Sequence, residues 1–255
     1  MALFIFLGHA VFAQADTTKT TKPPVTYYSH QKDTIAKKKV TYTSLNLENR
    51  ANDHFLIEFS YDNWIGKTDS MRTTGFSRGF AFYFMYDFPF KTDPHFSVGA
   101  GIGIGVSNIF FDKTNVLVAA PNQTLAFTDV SNTFHFKKYK LVTTYLELPL
   151  ELRYVFNPEN TNKSWKIALG IKAGVLLSAY TKAKNLENAN DVVVQEYITK
   201  NSSKQFFNSG RILGTFRVNY GFIGVFGQVA LTPLLTNTAG PQINPYSIGI
   251  LLSGL

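Results

Sequence analysis

The stretch LELPLELRYVF, residues 146–156, changes character at every second position. Leucine or an aromatic residue occupies each even position, whereas the odd positions include Glu147, Glu151 and Arg153. A period of two residues predicts a β-strand, because successive side chains of a strand point to opposite faces. One face of this strand is therefore predicted to be apolar, and the other face to be largely polar and charged.

A second segment alternates in the same way but carries glycine in place of charge. In VGAGIGIGVS, residues 98–107, Val, Ala and Ile share one face while Gly and Ser share the other. A soluble barrel needs a polar exterior, and a face rich in glycine with both signs of charge does not suit that role. The pattern indicates a membrane barrel instead, with apolar side chains toward lipid and polar ones toward the lumen.

Eight segments from residue 54 onward carry this alternation. They are His54–Asp62, Phe76–Phe88, Phe96–Phe110, Thr143–Phe156, Trp165–Thr181, Gly210–Tyr220, Phe222–Leu231 and Tyr246–Ser253. Short connections alternate with long ones such as residues 111–142 and 182–209, which is the layout of periplasmic turns and external loops in outer-membrane barrels. We therefore predict an all-β fold for residues 54–255, an eight-stranded antiparallel up-and-down transmembrane β-barrel. We expect it to be a monomer in the bacterial outer membrane.

Two further segments precede the predicted barrel. Residues 1–15 are predicted to be a signal peptide, because the apolar run Ala2–Val11 is followed by the small-x-small site Ala13-Gln14-Ala15. Residues 16–53 are rich in Thr and Lys and poor in apolar residues. Such a segment cannot bury enough surface to offset its ordering entropy, so we predict a disordered periplasmic tether.

The composition limits the possible partners. The net charge is +8 and the chain has 23 Phe and 13 Tyr but no Cys, which excludes disulfides and thiolate chemistry. A basic protein can bind nucleic acid or an anionic envelope. No nucleic-acid motif occurs and the strands are too apolar for a reading platform. We therefore expect outer-membrane lipid and lipopolysaccharide as partners, and no nucleic acid.

Charged residues whose parity directs them into the lumen form the candidate site. They are Glu58, Arg78, Glu147, Glu151, Arg153, Lys166, Lys172, Arg211 and Arg217. An eight-stranded barrel has an interior filled by side chains, and an unpaired buried charge is costly. We predict a salt-bridge network that plugs the lumen, in which Arg153 or Arg217 contacts Glu58, Glu147 or Glu151. The alternative is a narrow pore with a gated ion path.

Catalytic chemistry finds little support. Glu147 and Glu151 are four residues apart on one strand, about 13 Å, which is too far for the carboxylate pair of a glycosidase. His135 lies near Ser131 and Asp129, which leaves a rim hydrolase acting on lipid or peptide as a second alternative. No metal-ligand spacing or nucleotide motif occurs. We predict that the chain is not an enzyme and has no catalytic, cofactor or metal site.

Three segments resemble a known family. YLELPLELRY (residues 145–154), the glycine alternation at 98–107 and WKIALGIKAG (residues 165–174) resemble strands of the PorT-like outer-membrane β-barrel proteins of Bacteroidetes-type, Gram-negative bacteria. The resemblance covers residues 54–255 and implies insertion by the barrel insertion machinery. We predict a structural or interaction role, in envelope integrity, surface contact or as an accessory to protein secretion, with envelope or secretion proteins as partners.

Overall fold

The computed structural model describes residues 54–74, 76–121 and 123–254. The predicted signal peptide and tether, residues 1–53, lie outside the described residues. Among the described residues, no helix is long and apolar enough to cross a membrane. Apart from a short 3-10 turn at Thr161–Lys163, the regular structure of the described residues consists of strands.

Eleven strands follow one another along the described chain. They are β1 (Phe55–Ile65), β2 (Arg78–Pro89), β3 (Phe96–Phe111), β4 (Thr114–Val116), β5 (Phe127–Asp129), β6 (His135–Val155), β7 (Trp165–Glu187), β8 (Val193–Ser202), β9 (Gly210–Tyr220), β10 (Ile223–Ala230) and β11 (Asn244–Ser253). β4 and β5 form a small separate hairpin in the long connection between β3 and β6.

Eight of these strands close into a ring. Its order is β6-β3-β2-β1-β11-β10-β9-β7, and antiparallel pairing of β6 with β7 closes it. The start of β1 pairs with the end of β11, Leu56 opposite Ser253, at the end of the barrel that carries the short connections. Closure leaves no strand edge within the ring, as a lipid environment requires. The predicted eight-stranded antiparallel up-and-down barrel is confirmed.

The strands continue further at the long-loop end than the sequence predicts. β6 begins at His135, β7 ends at Glu187, and β8 lies wholly within the predicted loop 182–209. Residues 135–142 of β6, residues 180–187 of β7 and β8 form a three-stranded extension of the ring, which we call the projecting sheet. The prediction failed here because apolar side chains of this sheet, such as Tyr139 and Leu141, are buried in the interior instead of facing lipid.

A β-bulge separates the barrel part of β7 from the projecting sheet. Tyr145 pairs with Leu176 whereas Thr144 pairs with Ser178, so one residue of β7, Leu177, is extra. A bulge of this kind reverses the parity of the strand beyond it. The buried positions of β7 are consequently even-numbered before the bulge and odd-numbered after it, and Lys182 and Lys184 point outward.

The predicted apolar face is the outer surface of the ring. Leu148 is 54% exposed, Leu169 65% and Ile248 61%, whereas polar side chains of the same strands are buried. At the short-turn end, aromatic rings pack across this surface, with the Trp165 and Tyr220 centroids 5.4 Å apart. So continuous an apolar exterior suits lipid contact, and aromatic residues favour the membrane–water interface.

Candidate functional site

Alternating burial along four strands of the ring brings the candidate charges into the lumen. Glu58 of β1, Glu147 of β6, Lys172 of β7 and Arg217 of β9 are each less than 5% exposed. β3 provides the space, because it presents glycine to the same interior: a Cβ added at Gly105 would lie 3.0 Å from the Glu147 Oε2. The glycine face of β3 therefore leaves room for the bulky charged side chains of the other strands.

Lys172 forms the centre of the first cluster. Its Nζ donates to both carboxylate oxygens of Glu58, at 2.9 and 2.7 Å, and lies 3.1 Å from the Tyr83 hydroxyl and 3.1 Å from the Gln228 Oε1. The ammonium also lies 4.4 Å from the centroid of the Tyr83 ring. The buried ammonium thus has a full set of partners, which is the condition for holding a charge in such an interior.

Tyr83 links this cluster to a second one. Its hydroxyl donates to the Glu147 Oε2 at 2.5 Å, and the Arg211 guanidinium is ion-paired with the Oε1 of the same carboxylate. Arg211 also lies over the Tyr145 ring, 3.6 Å from its centroid. Each oxygen of Glu147 therefore accepts from a different donor, which fixes the orientation of the carboxylate.

A third cluster surrounds Glu151 toward the short-turn end. Its Oε2 accepts from the Arg153 Nε at 3.0 Å and from the Arg217 Nη2 at 2.8 Å. The Arg153 Nη1 also lies 3.3 Å from the Asp87 Oδ1. The members of the three clusters, which we call the lumen network, are Glu58, Tyr83, Asp87, Glu147, Glu151, Arg153, Lys172, Arg211, Arg217 and Gln228.

One member of the candidate set lies elsewhere. Arg78 was assigned to the lumen, and this was wrong: it shares the parity of Phe80, is exposed on the outside of β2, and has its guanidinium carbon 5.4 Å from the centroid of the Phe110 ring. Lys166 is buried in the interior. The sequence reasoning also missed Tyr83 and Asp87, although both share the odd, inward parity of Met85 on β2.

The lumen network leaves little free volume. A cavity of about 30 Å³ lies between Glu58, Asp62, Glu147 and Arg211, and another of about 10 Å³ lies beside Arg153. Cavities of this size hold isolated water molecules and no more. The polar part of the lumen is consequently filled by its own side chains.

An apolar cluster fills the barrel at the long-loop end, and we call it the apolar plug. Its buried members are Trp64, Met71, Ile109, Phe111, Val116, Val118, Leu125, Tyr139, Leu141, Tyr145, Leu176, Ala179, Ala183, Phe206, Phe207, Leu234, Leu235, Ala239 and Ile243. Backbone hydrogen bonds join the loops that cover it, from the Leu125 N–H to the Ala239 carbonyl at 2.7 Å and from the Thr236 N–H to the Phe206 carbonyl at 3.0 Å. The sequence reasoning predicted closure by salt bridges alone and missed this second closure.

Comparison with known proteins identifies the family. The model for the outer membrane protein beta-barrel domain matches residues 37–236. The chain belongs to this family. Two crystal structures of Ail, the attachment invasion locus protein of Yersinia pestis, are similar to it at 10% identity, and each alignment covers 78% of this chain and 95% of that chain. Their TM-scores are 0.34, for the complex with the heparin analogue sucrose octasulfate, and 0.31. No curated protein matches.

Membership of the outer membrane β-barrel family determines the location of the chain. The family, the closed ring and the apolar exterior together place it in the bacterial outer membrane. The predicted location is confirmed.

The candidate rim hydrolase site of this outer-membrane barrel is not assembled. The His135 Nε2 lies 2.9 Å from the Asp191 Oδ1, and its Nδ1 lies 3.2 Å from the Thr133 carbonyl oxygen. Asp129 instead accepts from the Ser131 backbone N–H at 2.9 Å and forms an ion pair with Arg72. His135 and the pair Ser131 and Asp129 thus belong to different hydrogen-bonding groups, and this alternative gains no support from the described residues.

His135 belongs to a charged corner at the tip of the projecting sheet. Its ring nitrogen and one carboxylate oxygen each of Glu187 and Asp191 lie within 4.8 Å of one another. Lysines already compensate both acids, with the Lys113 Nζ 2.8 Å from Asp191 and the Lys137 Nζ 3.6 Å from Glu187. The hydrogen bond from Lys113 holds the pKa of Asp191 below its usual range. This corner is therefore a salt-bridge cluster that joins the loop 188–192 to the sheet.

Proposed function

We propose that this outer-membrane barrel is a closed scaffold with a structural or interaction role, not a pore and not an enzyme. The observation that carries the proposal is the double filling of its interior. The lumen network occupies the middle and the short-turn end, and the apolar plug occupies the long-loop end. A barrel filled in this way offers its outer surface and loop end to other molecules.

The projecting sheet provides a surface for such an interaction. β8 pairs with β7 along one edge only, so within the described part of the chain its other edge is unpaired. The strand also exposes Val194 (57%) and Ile198 (59%). An exposed strand edge with apolar side chains can pair with an extended segment of a second protein. We propose surface contact of this kind, with an envelope or secretion protein as the partner.

The PorT-like resemblance makes a secretion component one candidate for that partner. A photo-crosslinker at Ile198 in living cells should then give adducts with a component of the secretion apparatus, whereas the same crosslinker at Glu159 in a short turn should not. Adducts with other envelope proteins alone would assign the scaffold to envelope integrity instead. An equal pattern from both positions would contradict a contact through β8.

Cysteine labelling tests the orientation on which surface contact depends. The chain has no Cys, so Ala189→Cys, in the turn before β8, and Glu159→Cys, in the turn before β7, each give a single thiol. With the long loops outside, a maleimide reagent too large to cross porins should label Ala189→Cys on intact cells. Glu159→Cys should react only after the outer membrane is permeabilised. The reverse pattern would show that the barrel is inverted.

A further inference from the structure

Lysines face one another across the outer surface of the projecting sheet. Lys140 of β6 lies opposite Lys182 of β7, which in turn lies opposite Lys200 of β8. One step further along the sheet, Lys138 lies opposite Lys184. These five residues, which we call the lysine belt, share one face because the bulge in β7 has reversed its parity.

The charge of the lysine belt is not compensated. Like charges directly opposite each other on antiparallel strands are destabilising. Nevertheless, within the described residues none of the five lysines forms an ion pair with a carboxylate, whereas Lys113, just after β3, and Lys137 of β6 both do. The contacts of the belt are with neutral groups: the Lys140 Nζ donates to the Asn108 Oδ1 at 2.7 Å, and Lys200 lies 4.1 Å from the Tyr180 ring centroid.

The lysine belt lies beyond the apolar exterior of the barrel, at its long-loop end. The outward positions of β7 are apolar from Trp165 through Leu177, and after the bulge come Ser178, Tyr180 and then Lys182. The stretch from Leu177 to Lys182 spans about 16 Å of strand. The belt therefore lies beyond the apolar zone, on the side of the lipid headgroups, with Ser178 and Tyr180 between the two.

The opposite face of the projecting sheet holds the belt in place. Tyr139, Leu141 and Ala183 alternate with the belt lysines along β6 and β7 and are buried in the apolar plug. The Tyr139 hydroxyl also donates to the Val116 carbonyl oxygen at 2.7 Å. The sheet cannot turn its lysines away from the membrane side without exposing these apolar side chains, so the five charges stay outward.

We infer that the lysine belt binds the phosphate groups of phosphorylated glycolipids in the outer leaflet, while their acyl chains lie along the apolar surface below. A ligand with phosphate groups and acyl chains matches the order of the cationic belt and the apolar surface along β7. Its phosphates also relieve the repulsion between the paired lysines. Arg78, over the Phe110 ring beside Lys140, extends the positive surface along β2 and β3. The inference deepens the proposed interaction role and rests on the proposed outward orientation of the projecting sheet.

A binding experiment with matched variants tests the lysine belt. The full chain, refolded in neutral detergent, is titrated with diphosphoryl lipid A in micelles. The triple variant Lys140→Gln/Lys182→Gln/Lys200→Gln should bind about 100-fold more weakly, since each basic residue near an anionic surface contributes about 1 kcal/mol. The control Lys91→Gln/Lys163→Gln/Lys204→Gln loses the same charge from exposed positions elsewhere and should bind like the wild type.

Two other probes distinguish the sources of anionic charge. Inorganic phosphate should compete only weakly, because it lacks acyl chains. A heparin oligosaccharide should bind less tightly than lipid A for the same reason. If heparin or phosphate alone bound more tightly than lipid A, and did so through the belt, the ligand would not be a lipid. If the two triple variants had equal affinity for lipid A, the belt would not be the binding site.

Thermal stability provides a readout that a general loss of charge would not produce. In neutral detergent the belt variant should unfold at a higher temperature than the wild type, because repulsion between lysines is removed. With lipid A present the order should reverse. If the order does not reverse, the lysine belt is not the lipid-binding site, whereas the proposed scaffold role is unaffected. Belt-specific binding combined with an inverted labelling pattern for Ala189→Cys would instead overturn the outer-leaflet assignment.

Discussion

Lys172→Met is expected to destabilise the barrel by roughly 3–5 kcal/mol, the cost of breaking a buried ion pair from one side. Methionine fills a similar volume, so the main change is the loss of the ammonium. Glu58, which is 3% exposed, then keeps a carboxylate whose two hydrogen bonds from Lys172 are gone. Tyr83 and Gln228 also lose a donor.

The matched control removes both charges. Lys172→Met/Glu58→Gln leaves no unpaired buried ion, so most of the lost stability should return. Urea unfolding of protein refolded into lipid vesicles measures both variants, with Trp64 and Trp165 as fluorescent probes at opposite ends of the barrel. If the double variant is as unstable as Lys172→Met, the Glu58–Lys172 pair does not stabilise the lumen in the way we describe.

Leu148→Arg is expected to cost roughly 2–4 kcal/mol, the cost of a charge at the bilayer midplane on the outer surface of a barrel. Leu148 lies in the middle of the apolar face of β6, between the exposed Leu146 and Leu150. An arginine there cannot reach either polar interface without distorting the lipid around it. The fraction of protein that inserts into vesicles should fall accordingly.

The same substitution near the membrane surface provides the comparison. Phe156 lies just beyond the end of β6 and is 56% exposed, so Phe156→Arg should cost only about 0–1 kcal/mol. Both variants add one positive charge to an outward position and differ mainly in depth. Equal insertion of Leu148→Arg and Phe156→Arg would show that the exterior of β6 does not face lipid.

Within the membrane-spanning part, strict alternation was sufficient to predict the fold. The even positions of 146–156 are apolar and outward, whereas the buried odd positions include Glu147, Glu151 and Arg153, because the lipid and the lumen impose opposite requirements on the two faces. Parity alone therefore placed Glu147, Glu151, Arg153 and Lys172 inside. It could not select their partners, since these depend on the register between strands distant in sequence, such as β1 and β7.

Beyond the membrane the same rule fails for a physical reason. In the β6 and β7 parts of the projecting sheet the outward face carries lysines and the inward face is apolar, so a search for outward apolar residues does not extend these strands beyond the barrel. The bulge at Leu177 adds a change of parity that periodicity cannot show. Arg78 was misplaced because it continues the outward parity of Phe80 beyond the apolar part of β2, where a charge at the surface is tolerated.

Conductance across a planar lipid bilayer tests the closed lumen most directly. The refolded full chain should produce no steady current, because the lumen network and the apolar plug fill the barrel at successive levels. A known open porin in the same bilayer provides the positive control. Stable channels of large conductance from the wild-type chain would contradict the closed scaffold and favour the pore.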